Sequence, residues 1–147
     1  MLSIPFAKFA EGLEKQLQKW EVATDKFLEV FQQYENNLCF PETPWDGYTS
    51  LSRELKPWQW IENKFIYQGE WGSSDKIDGR GIAVYPHAYL SIGHYRQGKL
   101  HGTCIVFTAQ GVVHTSEYVK GKRYGDTKIL FDDGKTATCA FIKGVLF

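Results

Sequence analysis

Three histidines, His87, His94 and His101, stand seven residues apart, and His114 follows thirteen further on. Imidazoles bind metals and move protons near neutral pH. A period of seven along strands and turns does not gather them round one ion as an i, i+4 pair on a helix does. Cys39, Cys104 and Cys139 show neither CxxC pairing nor metal-ligand spacing. They read as reduced, partly buried thiols of a reducing compartment. No helix N-terminus or cleft can be inferred beside Cys104 or Cys139 to make either a nucleophile. The Asp132-Asp133 pair precedes Gly134, which is the composition of a turn. Trp45, Trp58 and Trp60 offer rings for an amine cage, but no other cage residue converges on them, so they read as packing groups. No glycine-rich phosphate loop precedes a helix. The expectation is therefore no catalytic site, no metal, no cofactor and no small-molecule substrate.

The composition bounds what must position these residues. The chain has 147 residues, 43% apolar and 23% charged, enough for one domain or a small domain with an appended helix. Seventeen basic and seventeen acidic side chains cancel, leaving no global field for nucleic acid. The cancellation hides an asymmetry. Residues 1–63 carry six Lys/Arg against ten Asp/Glu, net −4, and residues 64–147 carry eleven against seven, net +4. No apolar run is long enough to span a bilayer as a helix, and the N-terminus lacks a secretory core. A soluble intracellular protein is expected, cytoplasmic or cytoskeletal, with an organellar complex as the other possibility.

Residues 1–38 carry an apolar stripe at helical spacing. Phe6, Leu13, Trp20, Phe27 and Tyr34 are seven apart, Phe9, Ala23 and Val30 share the position three further on, and Leu17 and Phe31 widen the seam. This predicts one amphipathic helix of about 30 residues, roughly 45 Å long. Gln16 is the polar exception, and Gly12 weakens the pattern. Pro5 suits the first turn, and Asn36-Asn37 before Pro41 and Pro44 suits the end. The stripe must be buried on the protein's own repeats, on a partner, in a homomeric coiled coil or at a membrane surface. Phe, Trp and Tyr fit a two-stranded seam poorly, and four Lys against six Asp/Glu through residue 35 is the wrong balance for anionic lipid.

Residues 39–62 read as a connector punctuated by Pro41, Pro44, Gly47 and Pro57, with a helical turn at Ser50–Glu54. From residue 63 onward the chain repeats. Tyr95, Tyr118 and Phe141 are 23 apart, as are Gly98, Gly121 and Gly144, and Gly79, Gly102 and Gly125. Ala88, Gly111 and Gly134 form a further column, and Val84, Phe107 and Leu130 another. Trp71 begins the series one residue out of step, which implies an insertion within residues 73–76. Strand-like runs such as 104–107 and 128–131 alternate with glycines suited to tight turns, so each repeat reads as one hairpin. The glycines are assigned to the repeat turns, and Trp71, Tyr95, Tyr118 and Phe141 to an aromatic ladder on one face of a meander of about seven strands.

Tyr67-Gln-Gly69-Glu-Trp71 followed by Asp78-Gly79-Arg-Gly81 resembles the MORN motif. The second repeat keeps Gly93, Tyr95, Gly98-Lys99 and His101-Gly102; the third keeps Tyr118, Gly121-Lys122 and Gly125; the fourth keeps Phe141 and Gly144. About three and a half repeats are present. The leading Tyr is replaced by Ser91, by His114 and its neighbours, and by Ala137, and the closing Gly by Cys104 and Thr127. The helix and connector lie outside the resemblance, which implies an elongated single-layer antiparallel β-meander; with the helix, the expected fold class is α+β. The resemblance also implies a non-catalytic scaffold or accessory subunit of a large assembly, such as a ciliary or cytoskeletal one. A phosphoinositide-binding membrane tether is the other function the resemblance allows. The helix stripe (Phe6, Phe9, Leu13, Leu17, Trp20, Phe27, Phe31, Tyr34) is the expected partner-binding element, and the open sheet the second surface.

Overall fold

A computed structural model describes residues 4–41, 53–73 and 75–146. Ten strands form one antiparallel sheet in the order β1-β2-β3-β4-β5-β6-β8-β9-β10, with the short β7 paired to β6. The strands are β1 (Glu54–Ile61), β2 (Phe65–Trp71), β3 (Ile77–Tyr85), β4 (Tyr89–Arg96), β5 (Lys99–Thr108), β6 (Val113–Val119), β7 (Lys122–Arg123), β8 (Gly125–Leu130), β9 (Thr136–Ile142) and β10 (Val145–Leu146). The α+β class and the β-meander are therefore as expected, with more strands than the repeat count suggested. β1 lies in the segment read as connector, where Glu54 begins a strand rather than ending a helical turn. Its Pro57 is tolerated at the sheet edge, where the pairing with β2 shifts register between Lys56 and Gln59. Trp45 and Ser50 fall outside the described residues.

The single long helix is not formed. Three short α-helices stand in its place, α1 (Phe6–Phe9), α2 (Leu13–Lys19) and α3 (Asp25–Phe31), followed by a 3-10 turn at Glu35–Asn37. The first break is at Gly12, whose φ of 77° closes the helical path to ordinary side chains. A break orphans carbonyls, and the sheet supplies the donors. The Gln68 amide donates to the Phe9 and Glu11 carbonyls, and the Trp58 indole donates to Glu11 O at 2.7 Å. At the second break, Glu21 takes φ 58°. The Trp20 carbonyl there accepts from His87 N–H, 2.7 Å away at the β3–β4 turn. Thr24 then caps α3 by accepting from Phe27 N–H at 3.1 Å. The heptad spacing held because the stripe faces one surface; the helical path did not, because that surface offers partners to the breaks.

Pleating sorts the sheet residues onto two faces. On one face Ile82, Val84, Leu90, Ile92, Phe107 and Val113 form a single core with Phe9, Leu13, Leu17, Val22, Phe27, Val30 and Phe31 of the helical segment. Phe31 and Tyr34 meet the Phe107 ring edge-on, with centroids 5.2 Å and 5.3 Å away. On the other face Phe65, Tyr67, Ile77, Ala83 and Tyr95 cluster with Ile61, Trp71, Tyr85 and Leu100, all sheet residues.

The period of 23 residues has a hydrogen-bond basis. Gly98, Gly121 and Gly144 N–H groups donate to the carbonyls of Ile77, Leu100 and Arg123, each at 2.8 Å, so every turn on this rim is tied to the preceding repeat. All three glycines have φ near 85°. Gly111 and Gly134 occupy the turns of the opposite rim. Gly79, Gly102 and Gly125 are not turn residues. They lie in β3, β5 and β8 directly opposite Tyr95, Tyr118 and Phe141, with φ of 107°, 91° and 80°, a left-handed conformation that favours glycine within the strand. The register shift between β2 and β3 at Gly69/Trp71 recurs between β4 and β5 at Gly93/Tyr95; the extra residue lies between Trp71 and its partner Ile77, six positions on, where Tyr95 pairs with Leu100, five positions on.

Candidate functional site

The stripe assigned to a partner is turned onto the protein's own sheet. Phe9, Leu13, Leu17, Phe27 and Phe31 are buried, and Phe6, Trp20 and Tyr34 pack half-buried against the same core. Trp20 meets the Trp60 ring at 5.0 Å, and its indole donates to Gln16, which explains the polar residue in the heptad. In this arrangement the protein's own sheet covers most of the stripe.

A polar cluster that the sequence did not reveal fastens the start of the helical segment to β2 and β3. Arg80 Nε lies 3.0 Å from Glu70 Oε1, its Nη1 donates to Ile4 O, and its guanidinium sits 5.0 Å from the Phe9 ring centroid. Arg53 pairs with Asp78 at 2.8 Å, and both side chains are only 8% exposed. Asp78 also accepts from Gln97 N–H. Charges this buried persist only when paired and hydrogen-bonded. The available signal was Gln68, Glu70, Asp78 and Arg80 standing within otherwise apolar and glycine strands.

On the uncovered face the ladder residues share a side but do not stack on one another. Tyr67 stands between Trp71 and Tyr95, with centroids 6.3 Å and 5.3 Å away. Arg123 bridges the next rung: Nε donates to Tyr118 OH at 3.1 Å, and the guanidinium lies 5.3 Å from the Phe141 ring centroid. Beside the ladder runs a row of small residues in register, Gly69, Gly81, Gly93, Cys104 and Ser116. Thr127 and Cys139 continue it, and Ser116 and Thr127 hydroxyls meet at 2.9 Å. Tyr67 lies across the first two members; its hydroxyl donates to Glu70 O at 3.0 Å. Where the leading residue is Ser91, Cys104 fills the position instead, its Sγ 3.2 Å from Ser91 Oγ. Burial pushes the Cys104 thiol up to about 11, which removes it as a nucleophile near neutral pH.

The histidines are spread over strands and rims, and among the described residues no three His, Cys, Asp or Glu converge to hold a metal ion. Asp133 caps its own turn by accepting from Lys135 N–H. His94 is 8% exposed on the helix-covered face. Burial lowers its pKa; a bond to the Thr103 backbone opposes this, Arg80 and Arg53 lower it further, and Glu70 raises it. His101 and His114 are lowered in the same direction, chiefly by burial. A folded-state pKa below the unfolded one gives stability that is complete above the unfolded value of 6.5 and is lost as pH falls through it. Urea midpoints should therefore drop on acidification from about pH 7 to about pH 5, and His94→Gln should flatten that slope. An unchanged slope in the variant would remove His94 from the account.

Among the described residues, Leu28, Trp60 and Tyr124 are exposed singly on α3, β1 and the segment before β8, and the most exposed apolar side chains lie at the β8–β10 end. Phe131 is 39% exposed, Ile142 47%, Val145 62% and Leu146 60%. Val145 pairs with Ile142 and Leu146 with Phe141, so both faces of this end present apolar side chains. Among the described residues no helix is long and apolar enough to cross a membrane. No family model matches the chain, and no curated protein matches it.

Proposed function

We propose that the protein is a non-catalytic adaptor, an accessory subunit that docks onto other proteins through its repeat sheet. The observation that carries this reading is the asymmetric cover of the sheet. The helical segment seals one face over the strands bearing Ile82 to Val113, while β8–β10 expose apolar residues on both faces. Clustered exposed apolar side chains mark interaction surfaces, and a sheet end of this kind invites pairing or coverage. The 23-residue repeat and its aromatic and glycine columns support placing the array among diverged MORN-like repeats, whose role is to scaffold. The net charge of +4 over residues 64–147 is the only support for the lipid-tether alternative, and surface charge of that size is screened at physiological salt.

Capture of native complexes by tagged protein tests the reading. The wild-type chain should retain a fixed set of proteins in 0.5 M salt, where the Debye length falls to about 4 Å. The triple variant Ile142→Asp/Val145→Asp/Leu146→Asp should lose that set while keeping its melting temperature. Recovery of lipid without protein, abolished by salt, would replace the adaptor reading by the tether.

A further inference from the structure

The breaks that shorten the helices also create a furrow. Between α1–α2 and α3 lies a groove of about 530 Å³, lined by apolar side chains that include Phe6, Ala10, Leu17, Leu28 and Leu38. A straight helix would have no such groove. α3 is apolar on two sides: Phe27, Val30 and Phe31 face the sheet, while Leu28 is 38% exposed and lines the furrow. Leu28 extends the apolar lining that Ala10, Leu17, Phe31 and Leu38 present to the furrow. The polar lining is Glu14, Gln18, Gln32 and Glu35, without a Lys or Arg. Neither carboxylate forms an ion pair with a described residue.

We infer that this furrow binds a short basic amphipathic helix of a partner protein. The inference rests on the adaptor reading and adds a second docking point, built by the helices and not by β8–β10. Its volume lies in the range of roughly 300–1,000 Å³ typical of ligand-sized concavities. A cleft between helices takes the apolar face of a third helix, anchored by residues one and two turns apart. Glu14 and Glu35 select for Lys or Arg flanking those anchors. The chain's own residues 42–52 have the wrong sign for the site, with Glu42, Asp46 and no basic residue.

Fluorescence anisotropy with the full chain tests this, using a labelled Leu/Lys amphipathic peptide and a Leu/Glu peptide of the same pattern. Saturable binding of the first, at least about tenfold tighter than the second, is expected. Leu28→Gln, neutral in charge and at an exposed position, should weaken it about tenfold with the melting temperature unchanged. The pair Glu14→Lys/Glu35→Lys should invert the preference between the two peptides. Equal affinity for both peptides, no saturable binding, or indifference to Leu28→Gln overturns the inference. So does Leu28-dependent binding of neutral phosphatidylcholine vesicles without peptide binding, which would assign the furrow to lipid. The sheet-end variant leaves the furrow untouched, so failure here with capture intact sinks this site alone. Failure of capture with peptide binding intact sinks the adaptor reading alone.

Discussion

Removing residues 1–38 should convert a well-behaved protein into one that self-associates. Ile82, Val84, Leu90, Ile92 and Phe107 are at most 1% exposed, and the deleted segment supplies the other half of their core. Each buried Phe or Leu contributes roughly 1.5–3 kcal/mol, so losing Phe9, Leu13, Leu17, Phe27 and Phe31 removes on the order of 10 kcal/mol, an upper bound because the unfolded chain is itself partly collapsed. The deleted residues also no longer cost the conformational entropy of being ordered, so the net loss is smaller and leaves a folded sheet of lower stability. The repeats retain their mutual hydrogen bonds, so strand content should survive in the far-ultraviolet spectrum. Exposed apolar surface should appear as dye binding and as oligomers in sedimentation velocity. A truncated chain that stays monomeric with an unchanged melting temperature would show that the helices do not seal the sheet.

The second large effect concerns one hydrogen atom. A Cβ built on Gly81 would lie 2.1 Å from Tyr67 Cε2, and one on Gly69 would lie 2.4 Å from the Tyr67 hydroxyl oxygen. Tyr67 is 0% exposed and hydrogen-bonded to the Glu70 and Arg80 carbonyls, so its ring cannot swing aside. Gly81→Ala should cost about 3 kcal/mol or more in denaturant unfolding, as forced overpacking does. Gly98→Ala is the control: nothing lies within 4 Å of its added Cβ, leaving only the strain of φ 86°, about 1 kcal/mol. The protein contains the compensated pair already, since Ser91 stands in place of Tyr67 and Cys104 in place of Gly81 in the next repeat. Tyr67→Ser should therefore relieve Gly81→Cys, with an interaction energy of about 1–3 kcal/mol in a double-mutant cycle. Additive costs would mean that ring and glycine are not coupled.

This coupling shows what was legible in the chain and what was not. The 23-residue period, the strand runs and the aromatic column were visible because each repeat restates them at fixed spacing. Substitution of the leading Tyr by Ser91 and of the closing Gly by Cys104 was visible as drift, but its meaning needed the register that places both at one point on the sheet. The stripe from Phe6 to Tyr34 was read correctly as one apolar face, and wrongly as one helix. Periodicity reports which side chains face the core. It does not report that Gln68, Trp58 and the His87 amide stand ready to satisfy the carbonyls of broken turns. Glycine usually marks turns, whereas Gly79, Gly102 and Gly125 sit within strands at positive φ, paired with Tyr95, Tyr118 and Phe141. β1 was hidden by Pro57, which argues against a central strand but permits an edge. The Arg53–Asp78 and Arg80–Glu70 pairs join residues distant in sequence and had no local signature.

Hydrogen exchange of the protein alone and in its captured native complex tests the adaptor account most directly. The account predicts new protection across β8, β9 and β10 on complex formation, with the amides of α2 and α3 exchanging no faster than in the free protein because the stripe stays on its own sheet. Faster exchange in α2 and α3, with β8–β10 unchanged, would contradict it: the helical segment would then leave the sheet to meet the partner.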